Sequence, residues 1–115
     1  TEKYVGRDEL WEQAEQAMQR SRAERYHVVQ GWFEDTLPAY EGGPIAVLRL
    51  DADWYASTRL CLEHLAPLVS RGGAILLDDY YTWDGCAQAV HEYLAALHPP
   101  WRLRNRGPVA YLVKP

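Results

Sequence analysis

The sequence is short of several residue types, and each shortage closes off a class of protein. Only two cysteines, Cys61 and Cys86, occur in 115 residues. That is too few for a disulfide scaffold, and their spacing is not that of a zinc site. Lysine stands only at Lys3 and Lys114, and acidic residues outnumber basic ones 16 to 12, a net charge of −4. A nucleic-acid binder that works by displacing counterions needs a basic stripe, so nucleic acid is not an expected partner. No apolar run approaches the roughly 20 residues that span a bilayer, so neither is a membrane. The first 20 residues are charged and helical in pattern, unlike a signal peptide, although the chain opens on Thr1 rather than Met, as a processed or truncated chain would. The turn Gly-x-Gly-x-x-Gly occurs nowhere, and there is no internal repeat or low-complexity linker. What remains, at 48% hydrophobic and 24% charged residues, is material for one globular domain with its own core, expected in the cytoplasm.

Periodicity predicts alternating helices and strands. Asp8 is placed to cap a helix over 8–22, with Leu10, Trp11, Ala14, Ala17 and Met18 on one face. A strand is expected at 26–30, stopped by Gly31. After the Gly42-Gly43-Pro44 turn, Ile45-Ala46-Val47-Leu48-Arg49-Leu50 reads as a strand covered on both faces. Ser57 or Thr58 can cap the next helix, over 57–69, which carries Leu60, Cys61, Leu65 and Leu68 and is ended by Pro67 and Gly72-Gly73. Another buried strand follows at 74–78. The helix over 84–97 has the clearest pattern, Cys86, Ala89, Val90, Tyr93, Leu94 and Leu97, and His98-Pro99-Pro100 stops it. Trp101 to Arg104 and Val109 to Val113 suit an antiparallel hairpin around Asn105-Arg106-Gly107-Pro108. The order implies an open α/β sheet with about three parallel strands plus that hairpin, flanked by helices: about half of a doubly wound sheet.

Ligands of such sheets gather outside the carboxyl ends of the strands. Those ends carry Gln30-Gly31-Trp32-Phe33-Glu34-Asp35, then Asp51-Ala52-Asp53-Trp54-Tyr55, then Asp78-Asp79-Tyr80-Tyr81. A lone aspartate there usually caps the following helix, and Asp53 can do so. Four carboxylates closing two apolar strands are a different matter, because they repel unless a cation lies among them. A hard divalent ion such as Mg²⁺ takes oxygens of this kind. Arg49 shares Asp51's strand face but sits two rises, roughly 7 Å, further back. His27, His64, His91 and His98 have no ligand spacing, and the cysteines read as small apolar residues on helix faces. Trp32 and Trp54 either line a pocket or pack.

Three separated runs resemble one family: Gly31-Trp32-Phe33-Glu34-Asp35-Thr36-Leu37-Pro38, Leu48-Arg49-Leu50-Asp51-Ala52-Asp53-Trp54-Tyr55-Ala56-Ser57-Thr58, and Gly72-Gly73-Ala74-Ile75-Leu76-Leu77-Asp78-Asp79-Tyr80. They are similar, in order and spacing over about residues 26–90, to the macrocin, mycinamicin and novobiocin sugar O-methyltransferases of antibiotic biosynthesis. A more distant likeness to catechol O-methyltransferase covers the same strands. The resemblance implies a class I methyltransferase fold, S-adenosylmethionine as donor, Mg²⁺, and a sugar or similar hydroxyl acceptor, with homo-oligomerisation left open. It implies Asp51, Asp78 and Asp79 as metal ligands and Asp53 as general base. It also puts Gly31, Trp32, Phe33 and Glu34 at the adenine of the donor, with Trp54 and Tyr80 near the acceptor. If the strand persists, Asp51 and Asp53 face the same way, one for metal and one for the substrate hydroxyl.

The sequence departs from that family in two respects. The Gly-rich donor turn and the acidic ribose partner, which precede the matched region in the family, have no counterpart. The chain is therefore expected to be the C-terminal portion of a methyltransferase domain over residues 1–115. A lysine base of the catechol-enzyme type is excluded, since Trp54 stands near that position. A haloacid-dehalogenase-type phosphatase needs a lysine between its acidic motifs, and residues 54–77 have none. A phospho-receiver domain fails on the order of its acidic pair. The remaining alternative is a truncated, non-catalytic fragment that cannot bind the donor, with an open sheet edge where strands are missing.

Overall fold

The computed structural model describes residues 7–97 and 101–115, the side chains of 7–10 excepted. The chain divides into two compact units, one ending at Thr36 and one beginning at Leu37.

In the first unit, helix α1 spans Arg7–Arg20 and the single-turn helix α2 spans Phe33–Thr36. Helix α1 closes as its last carbonyls find partners. The Ser21 N–H donates to the Ala17 carbonyl at 3.0 Å, and Arg22 turns the chain away at φ 60°. Ala14 and Met18 are half-buried, whereas Trp11 and Ala17 of the same predicted face stay exposed. The cap expected from Asp8 and the stop at His98-Pro99-Pro100 lie outside the described side chains and residues. The strand expected at 26–30 does not form. A strand exists only through its ladder, the sheet formed by the described residues does not include this segment, and Val29 is 72% exposed.

The second unit is a four-stranded sheet, order β1-β2-β4-β3, built from β1 (Ile45–Leu50), β2 (Val69–Leu77), β3 (Leu103–Arg106) and β4 (Val109–Val113). Strands β1 and β2 are parallel neighbours, and β4 runs antiparallel to both β2 and β3. Among the described residues one parallel pair forms, where about three parallel strands were expected. The hairpin is present, closed by Gly107-Pro108 alone, with Arg106 opposite Val109.

Between the parallel strands runs α3 (Tyr55–Leu65), which ends in a short 3₁₀ turn at Ala66–Leu68. Pro67 has no N–H to continue the helical ladder. The buried face of α3 is Thr58, Cys61, Leu62 and Leu65, spaced i, i+3, i+4, i+7; Leu68, expected on that face, is 39% exposed. Helix α4 (Asp84–Ala95) buries Cys86, Ala89 and Val90.

The register explains the core. Leu48, Ile75, Leu112 and Leu103 form one row across the sheet, and Leu50, Leu77 and Ala110 the next. These rows pack with Cys61, Leu62, Cys86 and Val90 of α3 and α4. Each large side chain withdrawn there contributes about 1.5–3 kcal/mol. The alternate rows, with Val47 and Arg49 opposite Ala74 and Leu76, point the other way. Val47 is 60% exposed, so β1 is covered on one face rather than two.

Gly72-Gly73 was expected to end a helix and instead sits inside β2. The pairing jumps from Ile45↔Val69 to Val47↔Ala74, so β2 carries the extra residues of a bulge. A Cβ on Gly73 would lie 2.8 Å from the carbonyl oxygens of Ala46 and Ser70, which only glycine permits.

Candidate active site

Because β1 and β2 are parallel neighbours, their carboxyl ends lie side by side, with Leu50 paired to Leu77. The next residues are acidic on both strands. The Asp78 N–H donates to the Leu50 carbonyl at 3.0 Å, which carries the ladder one step past the end of β2. Asp51, Asp78 and Asp79 each offer a carboxylate oxygen, and these atoms lie within 4.8 Å of one another. Asp79 is 8% exposed, while Asp51 and Asp78 are open to solvent.

Partial desolvation, then the neighbouring charges of Asp79 and Asp78, raise the Asp51 carboxyl above its ordinary value; Arg49 pulls the other way. Arg49 reaches further than its position on the strand suggested. Its guanidinium lies 3.0 Å from Asp78 Oδ2 and 3.7 Å from Asp51 Oδ2. Among the described residues Arg49 is the counter-charge paired with the cluster, half-exposed and so weakly held.

Asp53 departs from the i, i+2 expectation. The strand stops at Leu50, and Asp53 takes φ 61°, so it does not repeat the direction of Asp51. Its N–H donates to Asp79 Oδ2 at 3.1 Å, and the Trp54 N–H donates to the Ala52 carbonyl at 2.6 Å. An aspartate held left-handed costs about 1–2 kcal/mol against the usual conformation. Strain of this kind gathers at functional loops. Asp53 is not one of the three converging carboxylates.

Neither Ser57 nor Thr58 caps α3. Trp54 is the N-cap, and Thr58 is 1% exposed inside the helix. From there it bonds to Cys86; burial raises the Cys86 thiol pKa, the bond to Thr58 opposes that rise, and the charges of Asp79 and Asp53 add to it. Tyr80, expected near the acceptor, packs against the core, and its hydroxyl shares a 2.7 Å hydrogen bond with His91 Nε2. Tyr55 donates its hydroxyl to the Glu92 carboxylate. Trp54 lies against Trp83, ring centroids 5.3 Å apart. Sequence reasoning missed Trp83, although it stands directly before the clearest helical pattern in the chain.

Gly31, Trp32, Phe33 and Glu34 lie in the first unit, at the turn into α2. Gly31 takes φ 150°, and the Asp35 and Thr36 N–H groups both donate to the Trp32 carbonyl. Trp32 is 60% exposed and Phe33 39%.

Parallel strands ending in clustered aspartates, with crossover helices and an antiparallel hairpin, define an O-methyltransferase-type α/β sheet. The fold of a Bacillus cereus O-methyltransferase in complex with SAH is similar over 96% of this chain and 60% of that one (TM-score 0.68, 18% identity). The sequence profile of the macrocin O-methyltransferase family (TylF) matches residues 13–100, and the chain belongs to that family. It is 46% identical over 81 residues to an 8-demethyl-8-(2,3-dimethoxy-alpha-L-rhamnosyl)-tetracenomycin-C 4'-O-methyltransferase of Streptomyces olivaceus, covering 64% of this chain and 31% of that protein. Over 72 residues it is 46% identical to the demethyldecarbamoylnovobiocin O-methyltransferase of Streptomyces niveus, covering 63% and 28%. The solved O-methyltransferase NovP superposes with a TM-score of 0.80 at 34% identity, over 90% of this chain and 44% of that one. The match to these curated relatives spans about a third of their length. Among the described residues no helix is long and apolar enough to cross a membrane.

Proposed function

We propose that this chain supplies the metal and acceptor side of an S-adenosylmethionine-dependent O-methyltransferase, acting on a hydroxyl of a sugar or glycosylated natural product in antibiotic biosynthesis. The observation that carries the reading is the convergence of Asp51, Asp78 and Asp79 at adjacent strand ends. The donor set fits Mg²⁺. An octahedral ion with bonds of about 2.0–2.1 Å spaces its ligand oxygens up to about 4.2 Å apart. The 4.8 Å spread closes to that with small side-chain rotations.

Asp51, Asp78 and Asp79 would hold the ion. When bound, it supplies positive charge that eases ionisation of the acceptor hydroxyl and relieves the crowding of the carboxylates. Asp53 accepts the hydroxyl proton. The acceptor oxygen forms its bond to the methyl carbon as the carbon–sulfur bond breaks, leaving a neutral sulfide. Sulfonium departure needs little acid help, so positioning carries most of the rate. Asp79 contributes to that positioning by holding the Asp53 loop. The turn at 31–34 would meet the adenine of the donor.

A second reading is a fragment that keeps the fold without the donor site; the lack of a Gly-rich turn favours it. Calorimetry of the 115-residue chain with S-adenosylmethionine, with and without Mg²⁺, tests the fragment reading. On either reading the isolated chain is expected to bind the donor weakly or not at all, and micromolar binding overturns the fragment reading. Methyl transfer to methyl α-L-rhamnopyranoside by the intact protein, abolished by EDTA and restored by Mg²⁺, supports the proposed activity. Transfer indifferent to EDTA removes the metal from it, and no transfer leaves the fragment.

A further inference from the structure

Both helices that start beside the carboxylates begin on a tryptophan. Trp54 is the N-cap of α3 and Trp83 the N-cap of α4, each with extended backbone and neither making a side-chain cap hydrogen bond. N-caps favour Ser, Thr, Asp or Asn, whose oxygen satisfies one of the first unpaired N–H groups. A local rule broken twice at one place points to function rather than to folding.

The two indoles meet with centroids 5.3 Å apart and planes inclined at 45°. Contact does not hide them, since Trp54 is 43% and Trp83 41% exposed. Both hang from one residue. The Asp79 carbonyl accepts the Trp83 N–H at 3.0 Å, and the Asp79 carboxylate accepts the N–H of Asp53, next to Trp54. The pair is thus fixed relative to the carboxylate cluster and still open to solvent.

We propose that Trp54 and Trp83 form one aromatic wall that stacks against the C–H face of a pyranose ring of the acceptor, leaving that ring's hydroxyls to the aspartates. The inference rests on the sugar-hydroxyl reading above. The C–H bonds on a pyranose face carry partial positive charge, and the faces of indole rings are negative. The hydroxyls at the ring's rim match carboxylates and not indole. An acyl chain or an apolar peptide would match the wall and be repelled by Asp51, Asp53, Asp78 and Asp79.

The test is an NMR titration of the 115-residue chain, following its indole N–H resonances. Methyl α-L-rhamnopyranoside is the probe, and mannitol, a polyol with no ring face, is the control. Trp54 and Trp83 are expected to shift with the glycoside and not with mannitol, while Trp11, Trp32 and Trp101 stay still. Trp83→Leu is expected to weaken glycoside binding about three- to tenfold, and Trp83→Phe less. Unmoved Trp54 and Trp83 resonances, equal shifts with mannitol, or an unchanged Kd in Trp83→Leu each overturn the wall. If Trp83→Leu does not fold, Trp83→Phe and Trp54→Phe must weaken the Kd, or the wall is rejected. A MgCl₂ titration of the same sample reads the amides of Asp51, Asp78 and Asp79 independently. Amides that move beside unmoved indoles reject the wall and keep the metal reading; if neither moves, both are rejected.

Discussion

The backbone N–H of Asp53 donates to Oδ2 of Asp79 across 3.1 Å. The bond crosses from the loop after β1 to the loop after β2, so the two acidic segments are tied by more than the sheet beneath them. It requires the left-handed turn at Asp53, and it occupies one oxygen of the least exposed carboxylate in the cluster. Asp79 therefore both fixes the loop and offers a ligand.

The two tasks separate on mutation. Asp79→Asn keeps an acceptor oxygen for the Asp53 N–H, and its stability should stay close to that of the wild type. Asp79→Ala leaves that N–H without its partner and should cost about 1–3 kcal/mol in urea denaturation. Both should lose Mg²⁺ binding. If Asp79→Ala is as stable as Asp79→Asn, the bond does not hold the loop.

Mg²⁺ is expected to raise the melting temperature of the chain. Asp51→Asn should leave the metal-free chain as stable or more stable, because it removes a carboxylate that Asp78 and Asp79 repel. It should also abolish the Mg²⁺ effect. The fold holds the Asp51 proton more tightly than its ordinary 3.8, so the folded chain carries the excess proton in the window above that value. The stability contributed by Asp51 is thus full below 3.8 and lost as pH rises through the raised value. Metal binding needs the ionised form, so the Mg²⁺ effect should fade on acidification while the metal-free chain gains from Asp51. A Mg²⁺ effect that persists in Asp51→Asn counts against this residue as a ligand.

The convergence of the aspartates could be read from the sequence because each acidic run closes an apolar one. Leu50 and Leu77 pair, so Asp51 and Asp78 had to be neighbours once the two runs were parallel strands. The helix expected over 84–97 forms as Asp84–Ala95 and was legible from its full i, i+3, i+4 apolar pattern. The failures share a cause as well. Residues 26–30 look like a strand, but a strand needs a partner, and propensity says nothing about whether one exists. Thr58 looks like a cap, but the left-handed turn at Asp53 starts α3 at Tyr55 and carries Thr58 into the core. The reach of Arg49 to Asp78 crosses between strands, and spacing along one strand cannot show it.

The cysteines should behave as packing residues. Burial pushes the Cys61 thiol from 9.0 up to about 11. The thiolate is the reactive form, so iodoacetamide at pH 8 should leave Cys61 unlabelled in the folded chain and label it in urea. The raised pKa also gives a sign. The contribution is full below 9.0 and lost as pH rises toward 11, so Cys61→Ala should flatten the alkaline fall in stability while weakening the core overall. Fast labelling of Cys61 in the folded chain would mean that the face of α3 opens readily.

The last prediction concerns the approach of α3 to α4. Gly85 lies in the first turn of α4, where alanine is better for the helix by about 1 kcal/mol. A Cβ there would sit 3.0 Å from the Tyr55 backbone nitrogen and 3.2 Å from the Tyr55 Cβ. Backbone cannot swing aside as a long side chain can, so the two helix starts would have to separate. Crowding of this kind costs roughly 1–3 kcal/mol and outweighs the gain in propensity. Gly85→Ala should therefore melt lower than the wild type. Because Trp54 and Trp83 cap these two helices, the near-ultraviolet circular dichroism of the indole pair should change with it. Ala87→Gly, in the same helix, should lose stability through propensity and its half-buried methyl, and leave the indole signal as it was. If Gly85→Ala melts higher than the wild type, the close approach at Tyr55 does not constrain the two helices.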